Sequence, residues 1–311
     1  MILELAQFLL VLAVAPLITG IIRKAKATMQ SRRGPSIFQP YRDLRKLLSK
    51  GSVVSNDASW VFNITPYVCM AAVGVAALLV PAVYAGTFGF LGDLIVLIYL
   101  LAMMRFFMAL AALDTGSAFG GMGSSREMYI SSIVEPTMLL SIFAMALVAG
   151  TTSLASISEN IASSGLDLVS PALFLAAAAF FISTLAENAR LPFDNPSTHL
   201  ELTMIHEAML LEYSGKKLAL MEMASMTKLV IFLAILSNVF FPWGIATDAT
   251  PLAIIAGLMF FLVKIILLAL VIALIESSLS KMRLFRLPNL LTVAFMLALL
   301  AVISYYILGV P

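Results

Sequence analysis

The chain has 311 residues, 61% hydrophobic and 12% charged, and a mean hydropathy of +1.04. Soluble domains carry about 25% charged residues, so the composition excludes a soluble enzyme and fits an integral membrane protein. A net charge of +2 gives no footing for nucleic acid, and a single cysteine, Cys69, excludes a disulfide framework, a Cys-ligated iron–sulfur cluster or a thiolate zinc site within the chain.

A helix needs roughly 20 apolar residues to cross a bilayer. Segments near 2–22, 61–84, 93–113, 129–149, 171–187, 227–241, 251–275 and 290–308 meet or approach that length, which predicts an all-α polytopic membrane protein of about eight transmembrane helices. No linker divides the chain, so residues 1–311 read as one integral membrane domain. The first segment lacks a basic leader, carries Glu4 and is followed by its positive charges, so it is expected to stay as a helix.

Between the first and second segments lie Arg23, Lys24, Lys26, Arg32, Arg33, Arg42, Arg45, Lys46 and Lys50. The loops 85–92, 150–170 and 241–250 carry no Lys or Arg. Arg126 belongs to the third loop, Arg190, Lys216 and Lys217 to the fifth with Lys228 at its border, and Lys281, Arg283 and Arg286 to the seventh. Every odd loop is basic, so the positive-inside rule places these loops in the cytoplasm and both termini on the outer side. Within the basic cytoplasmic loop 23–60, "SIFQPYRDLRKLLSKG" sets Ile37, Leu44, Leu47 and Leu48 on one helical face and Arg42, Arg45 and Lys46 away from it. Such an amphipathic helix lies in the membrane interface or against a soluble partner.

Arg105 and Lys264 interrupt apolar runs, and Asp93, Asp114, Glu135, Glu187 and Glu276 fall at or near membrane depth. A charge at the bilayer centre costs about 2.5–3.5 kcal/mol on insertion scales, so these groups are expected to face one another, a partner or water. Glu135 precedes Pro136, which removes a backbone donor; a carboxyl buried there can hold and release a proton. Glu187 and Arg190 are one turn apart and can pair.

"LPFDNPS" then ends the fifth helix, and an acidic cytoplasmic or interfacial loop is expected over 188–226. From Ser197 the pattern becomes helical again, placing Glu201 and Glu212 on one face, His199 and His206 on another, and Glu207 off the glutamate face. A solvated surface helix is the bland alternative; Met204, Ile205, Met209, Leu210 and Leu211 argue against it. "HEAML" lacks a second His at metalloprotease spacing, and neither a phosphate-binding loop, a dinucleotide fingerprint nor a catalytic triad stands in the sequence. The expectation is no catalytic, cofactor or metal site in this chain.

Several motifs occur in order. "SRRGP" and "YRDLRKLL" are followed by "GSSREMYISSIVEP", "ENARLPFD" and "EYSG". The chain thereby resembles the quinone-channel membrane subunit family of respiratory complex I. "LDTGS", "FPWG" and "IALIESSLSKMRL" resemble its formate hydrogenlyase and energy-converting [NiFe] hydrogenase branch. The resemblance implies a non-catalytic subunit of an ion-translocating oxidoreductase in a bacterial or archaeal cytoplasmic membrane. Its implied partners are soluble hydrogenase-like large and small subunits, with iron–sulfur clusters and in some branches [NiFe], antiporter-like membrane subunits and the lipid bilayer; a quinone can sit at the interface.

By motif, the implied proton path is Glu135, Glu187, Glu201 and Glu212, with Arg105, Arg126, Arg190, Asp194, Lys264 and Glu276 as supporting charges. Arg32, Arg33, Arg42 and Asp43 would meet the soluble arm. Two departures stand out: Ser197 and His199 replace acidic residues usual after "FD", and the stretch from Glu201 to "EYSG" is about three residues longer. A stand-alone secondary transporter and a purely structural anchor with ion-paired acids are the competing readings, and a quinone-reducing complex is the alternative within the family.

Overall fold

A computed structural model of the protein describes residues 2–55, 57–85, 94–163, 171–195, 204–248 and 250–308. Its helices are α1 (Ile2–Met29), α2 (Gln39–Ser49), α3 (Trp60–Leu79), α4 (Leu94–Asp114), α5 (Ala118–Ala149), α6 (Leu154–Ser163), α7 (Pro171–Glu187), α8 (Gly215–Ile235), α9 (Pro251–Ser278) and α10 (Leu287–Leu308). A π-helical turn, Leu236–Phe240, extends α8. No strand occurs among the described residues; Tyr84 and Ala246 form one isolated bridge. The chain is thus an all-α polytopic membrane protein. Seven described helices are long and apolar enough to span a bilayer, and α7, at 17 residues, is a shorter apolar helix.

Local chemistry explains the helix ends. Asp114, at the end of α4, accepts hydrogen bonds from the N–H groups of Ser59 and Phe62 at 2.8 and 3.3 Å, satisfying donors left open at the start of α3. Thr250 caps α9 ahead of Pro251, and Gly150 closes α5 in the left-handed conformation at φ 68°. Two helices start earlier than the apolar pattern predicts. α5 begins at Ala118 rather than near 129, and α8 at Gly215 rather than near 227. The glycine-rich run "AFGGMG" reads as loop by propensity, yet Gly123 is a contact point: an added Cβ would lie 2.9 Å from the Ile205 carbonyl oxygen and 2.8 Å from the Ala208 Cβ. Small residues let another backbone approach that closely.

The loops sort to two ends. At one, Ser214 exchanges hydrogen bonds with Val53, the Tyr213 hydroxyl donates to the Phe62 carbonyl, and Met282 N–H donates to the Pro192 carbonyl. The first, fifth and seventh loops therefore meet. At the other, the Gln7 side-chain oxygen accepts from the N–H groups of Ala82, Val83 and Tyr84, and Asn238 donates to the Pro81 and Ala82 carbonyls. The Lys- and Arg-bearing loops thus share one end, and residues 80–85 and 241–246 gather at the opposite end. α7 runs between them, with Phe174 against Phe241 at the second end and Glu187 at the first.

Candidate functional site

At the basic end, α4, α5, α7 and α8 bring charged side chains into the bundle. Arg105 of α4 is 2% exposed and stands nine residues before the helix end, about 13 Å into the bundle. One of its guanidinium nitrogens pairs with Glu187 Oε1, and the other lies 2.6 Å from Glu135 Oε1. Lys228 of α8 closes the group, with Nζ 3.0 Å from Glu187 Oε2 and donating at 2.8 Å to the Glu187 backbone carbonyl. The Arg105–Glu135 and Lys228–Oε2 contacts are ion pairs without hydrogen-bond alignment. Burying such charges is tolerable only because each faces an opposite charge.

Several sequence expectations change here. Glu187 and Arg190 do not pair, because α7 ends at Glu187 and Ala189 turns into the left-handed region at φ 49°. Arg190 instead lies 3.2 Å from Glu276 of α9, which also meets Lys26 of α1 at 3.3 Å. Glu135 is not enclosed: its side chain is 42% exposed, and α5 continues through Pro136. Ion pairing rather than full burial sets its environment. Lys264 meets no carboxylate among the described residues; its ammonium donates to the Ser237 and Phe241 carbonyls at 3.0 and 2.7 Å and to Asn238 Oδ1 at 3.3 Å. It caps the carbonyl end of α8 and the π-turn, where a positive charge is favoured.

The loop after α7 is not one continuous helix. Asp194, 2% exposed, accepts from the backbone N–H groups of Ile205 and His206 at 3.2 and 3.1 Å and pairs with Lys281 at 2.6 Å. That tie folds the chain back on itself. Beyond it come a short 3₁₀ turn, Glu207–Leu210, and a tight turn into α8. Glu212 is therefore on an exposed turn, away from the buried cluster, while Glu201 and His199 lie outside the described residues. Arg126 anchors the same loop by donating to the Met204 carbonyl at 2.9 Å. Arg32, Arg33 and Arg42 are exposed, and Asp43 accepts from the Gln39 side chain at 2.8 Å.

A cavity of about 700 Å³ lies between α1, the 30–35 turn, the 187–195 loop, α8 and α9. Arg32 and Arg33 line it together with His206, Glu207, Glu222 and Glu276, and Glu187 and Lys228 connect it to Arg105. His206 is buried; its Nε2 lies 3.4 Å from the Ser225 hydroxyl and its Nδ1 has no partner among the described residues. Burial holds its pKa below the usual 6.5, against the opposing pull of the Glu207 carboxyl, and burial raises Glu207 above 4.5, against the pull of His206. The arrangement places the titratable groups of the cavity wall in charge contact, through Arg105, with Glu135.

Sequence reasoning missed two members. Lys228 sits at the edge of an apolar run and reads as a loop-border charge until α8 is extended back to Gly215. Glu127 is 6% exposed on α5, within electrostatic range of Lys228, Glu187, Arg105 and Asp194. The signal available was its helical register with Gly123 and Ser131, both buried.

Residues 3–306 match the family described as NADH dehydrogenase. The chain is 39% identical to formate hydrogenlyase subunit 4 of Escherichia coli K12 over 301 residues, covering 96% of this chain and 97% of that one. It is 36% identical to hydrogenase-4 component C of the same organism, over 96% of this chain and 93% of the relative. Identity to an NADH-quinone oxidoreductase subunit of Rubrobacter xylanophilus is 30%, over 74% of this chain and 71% of the relative. A chain in the structure of the membrane-bound sulfane sulfur reductase, an archaeal respiratory membrane complex, superposes with a TM-score of 0.85, 23% identity and 97% of each chain covered, which speaks to the fold.

Proposed function

The chain belongs to the NADH dehydrogenase family and is a membrane subunit of a complex I-like complex, and on that premise we propose that it couples redox chemistry in a soluble arm to proton or sodium translocation. The observation that carries this is Arg105, which joins Glu187 beside the cavity to Glu135 on the lateral face. The subunit itself oxidises nothing. A change of charge in a docked electron-transfer subunit shifts the protonation of Glu187, and Arg105 passes the electrostatic change to Glu135.

The partners in this proposal are hydrogenase-like large and small subunits carrying iron–sulfur clusters and, in a hydrogenase, [NiFe], seated over Arg32, Arg33, Arg42 and Asp43. Antiporter-like membrane subunits lie beyond Glu135. The basic end faces the cytoplasm of a bacterial or archaeal cell, and α7 supplies the eighth crossing, because its two ends lie at opposite ends of the bundle. The alternation of loops with and without Lys and Arg supports that orientation.

A second reading has one favouring observation. His206 lines the cavity, and its imidazole, turned toward that space, can hydrogen-bond a quinone carbonyl, which would make the electron acceptor a quinone rather than protons. The test of the main reading is ion transport per electron in vesicles holding the intact complex. Glu187→Gln and Glu135→Gln are expected to lower it while native gels show normal assembly; Glu159→Gln, at an exposed position of α6, serves as the control. Normal coupling in both cluster variants would leave only the structural-anchor role.

A further inference from the structure

Glu127 makes no hydrogen bond and no ion pair among the described residues, although only 6% of it is exposed. An ionised carboxylate in that largely buried position would have neither a hydrogen bond nor an ion pair of its own, a state that proteins avoid by neutralising the group. Its surroundings come from four directions: Arg105 on α4, Glu187 on α7, Lys228 on α8 and Asp194 in the loop beyond α7. Asp194 is already matched by Lys281 and by backbone donors. The ion-paired cluster then comprises two cations, Arg105 and Lys228, and three carboxyls, Glu135, Glu187 and Glu127, with Glu135 at its open edge.

We propose that these five groups hold one mobile proton, and that Glu127 is its resting site. With Glu135 and Glu187 ionised against the two cations, the set is neutral only when Glu127 carries a proton. Transfer breaks the O–H bond at Glu127 and forms one at Glu187 or Glu135, leaving Glu127 as the new counter-anion, so total charge is unchanged at every step. Any gap wider than a hydrogen bond requires a bridging water for this transfer. The position suits a storage group. Gly123, one turn before Glu127, touches Ile205 and Ala208 next to His206, so Glu127 lies between the cavity-lining loop and the ion-paired cluster. This inference rests on the coupling role proposed above and adds to it a storage residue and a proton count.

The decisive variant is Glu127→Gln, which keeps the neutral shape but cannot ionise. If Glu127 is merely a permanently neutral filler, the amide is silent. In the intact complex we expect normal assembly, about a tenfold or greater loss of ion transport per electron, and disappearance of one protonated-carboxyl band from redox-induced infrared difference spectra. Glu127→Asp, which keeps an exchangeable proton, is expected to shift that band and retain part of the transport; it carries the test if the Gln variant does not assemble. Loss of coupling in Glu187→Gln with full coupling and an unchanged spectrum in Glu127→Gln overturns the storage role alone. Full coupling in all three Gln variants overturns the coupling role itself.

Discussion

Replacing Glu187 by Gln removes the carboxylate shared by Arg105 and Lys228, whose charged atoms approach Glu135 at 2.6 Å and Glu187 at 3.0 Å respectively. Two unit charges 4 Å apart attract by about 4 kcal/mol at an effective dielectric of 20, and removing one partner of a buried pair costs about 3–5 kcal/mol. In Glu187→Gln that cost is offset if Glu127 gives up its proton, because the set returns to two cations and two anions. In the double variant Glu127→Gln, Glu187→Gln no such relief exists, and one cation stays uncompensated. The double is therefore expected to lose more stability than the two singles together, by about 0.5–3 kcal/mol. Adding Lys228→Met to the double restores neutrality, with Arg105 facing Glu135, and recovers assembly. The assay is the amount of assembled complex on native gels with its midpoint of thermal unfolding in detergent. Additive losses, or no recovery on removing Lys228, would refute the charge count.

Other outcomes follow from the same geometry. Reporter fusions at Asn160 and within 241–250 should read as external, and those in the basic loops as cytoplasmic; a cytoplasmic reading at Asn160 overturns the orientation. Reversing the exposed Arg32, Arg33 and Arg42 together is expected to release the soluble subunits while the membrane domain still folds, and an intact complex would show that they dock elsewhere. Because burial lowers the His206 pKa beneath 6.5, the unfolded chain binds more protons in the window just below that value. Stability then rises with pH across it; Glu207, raised above 4.5, contributes with the opposite sign. The difference between wild type and His206→Gln isolates the histidine, and an identical pH dependence of unfolding in the two removes its contribution.

Much of the fold was legible because apolar length and loop charge are direct consequences of the bilayer. The helix starts were less so. "AFGGMG" lowers local helix signal, and Lys216, Lys217 and Glu222 cut short the apolar run before Thr227; only tertiary contact, such as Gly123 against Ile205, explains why α5 is extended there. The turn between Glu187 and Arg190 was likewise hidden, since spacing alone assumes the helix continues, whereas Ala189 leaves it.

For the site, a sequence announces charges in apolar runs but not their partners. Arg105 was visible for that reason; its pairing across three helices was not. Lys264 looked equivalent and is not, because it answers carbonyls exposed by the π-turn rather than an acid. Glu127 was obscured by its neighbour. Consecutive helical residues point about 100° apart, so Arg126 reaches the loop carbonyl of Met204 while Glu127 turns into the cluster. A paired charge can be glue or relay, and pairing does not separate the two. An odd carboxyl left after the cations are matched lets experiment separate them, because Glu127→Gln removes its proton without breaking an ion pair.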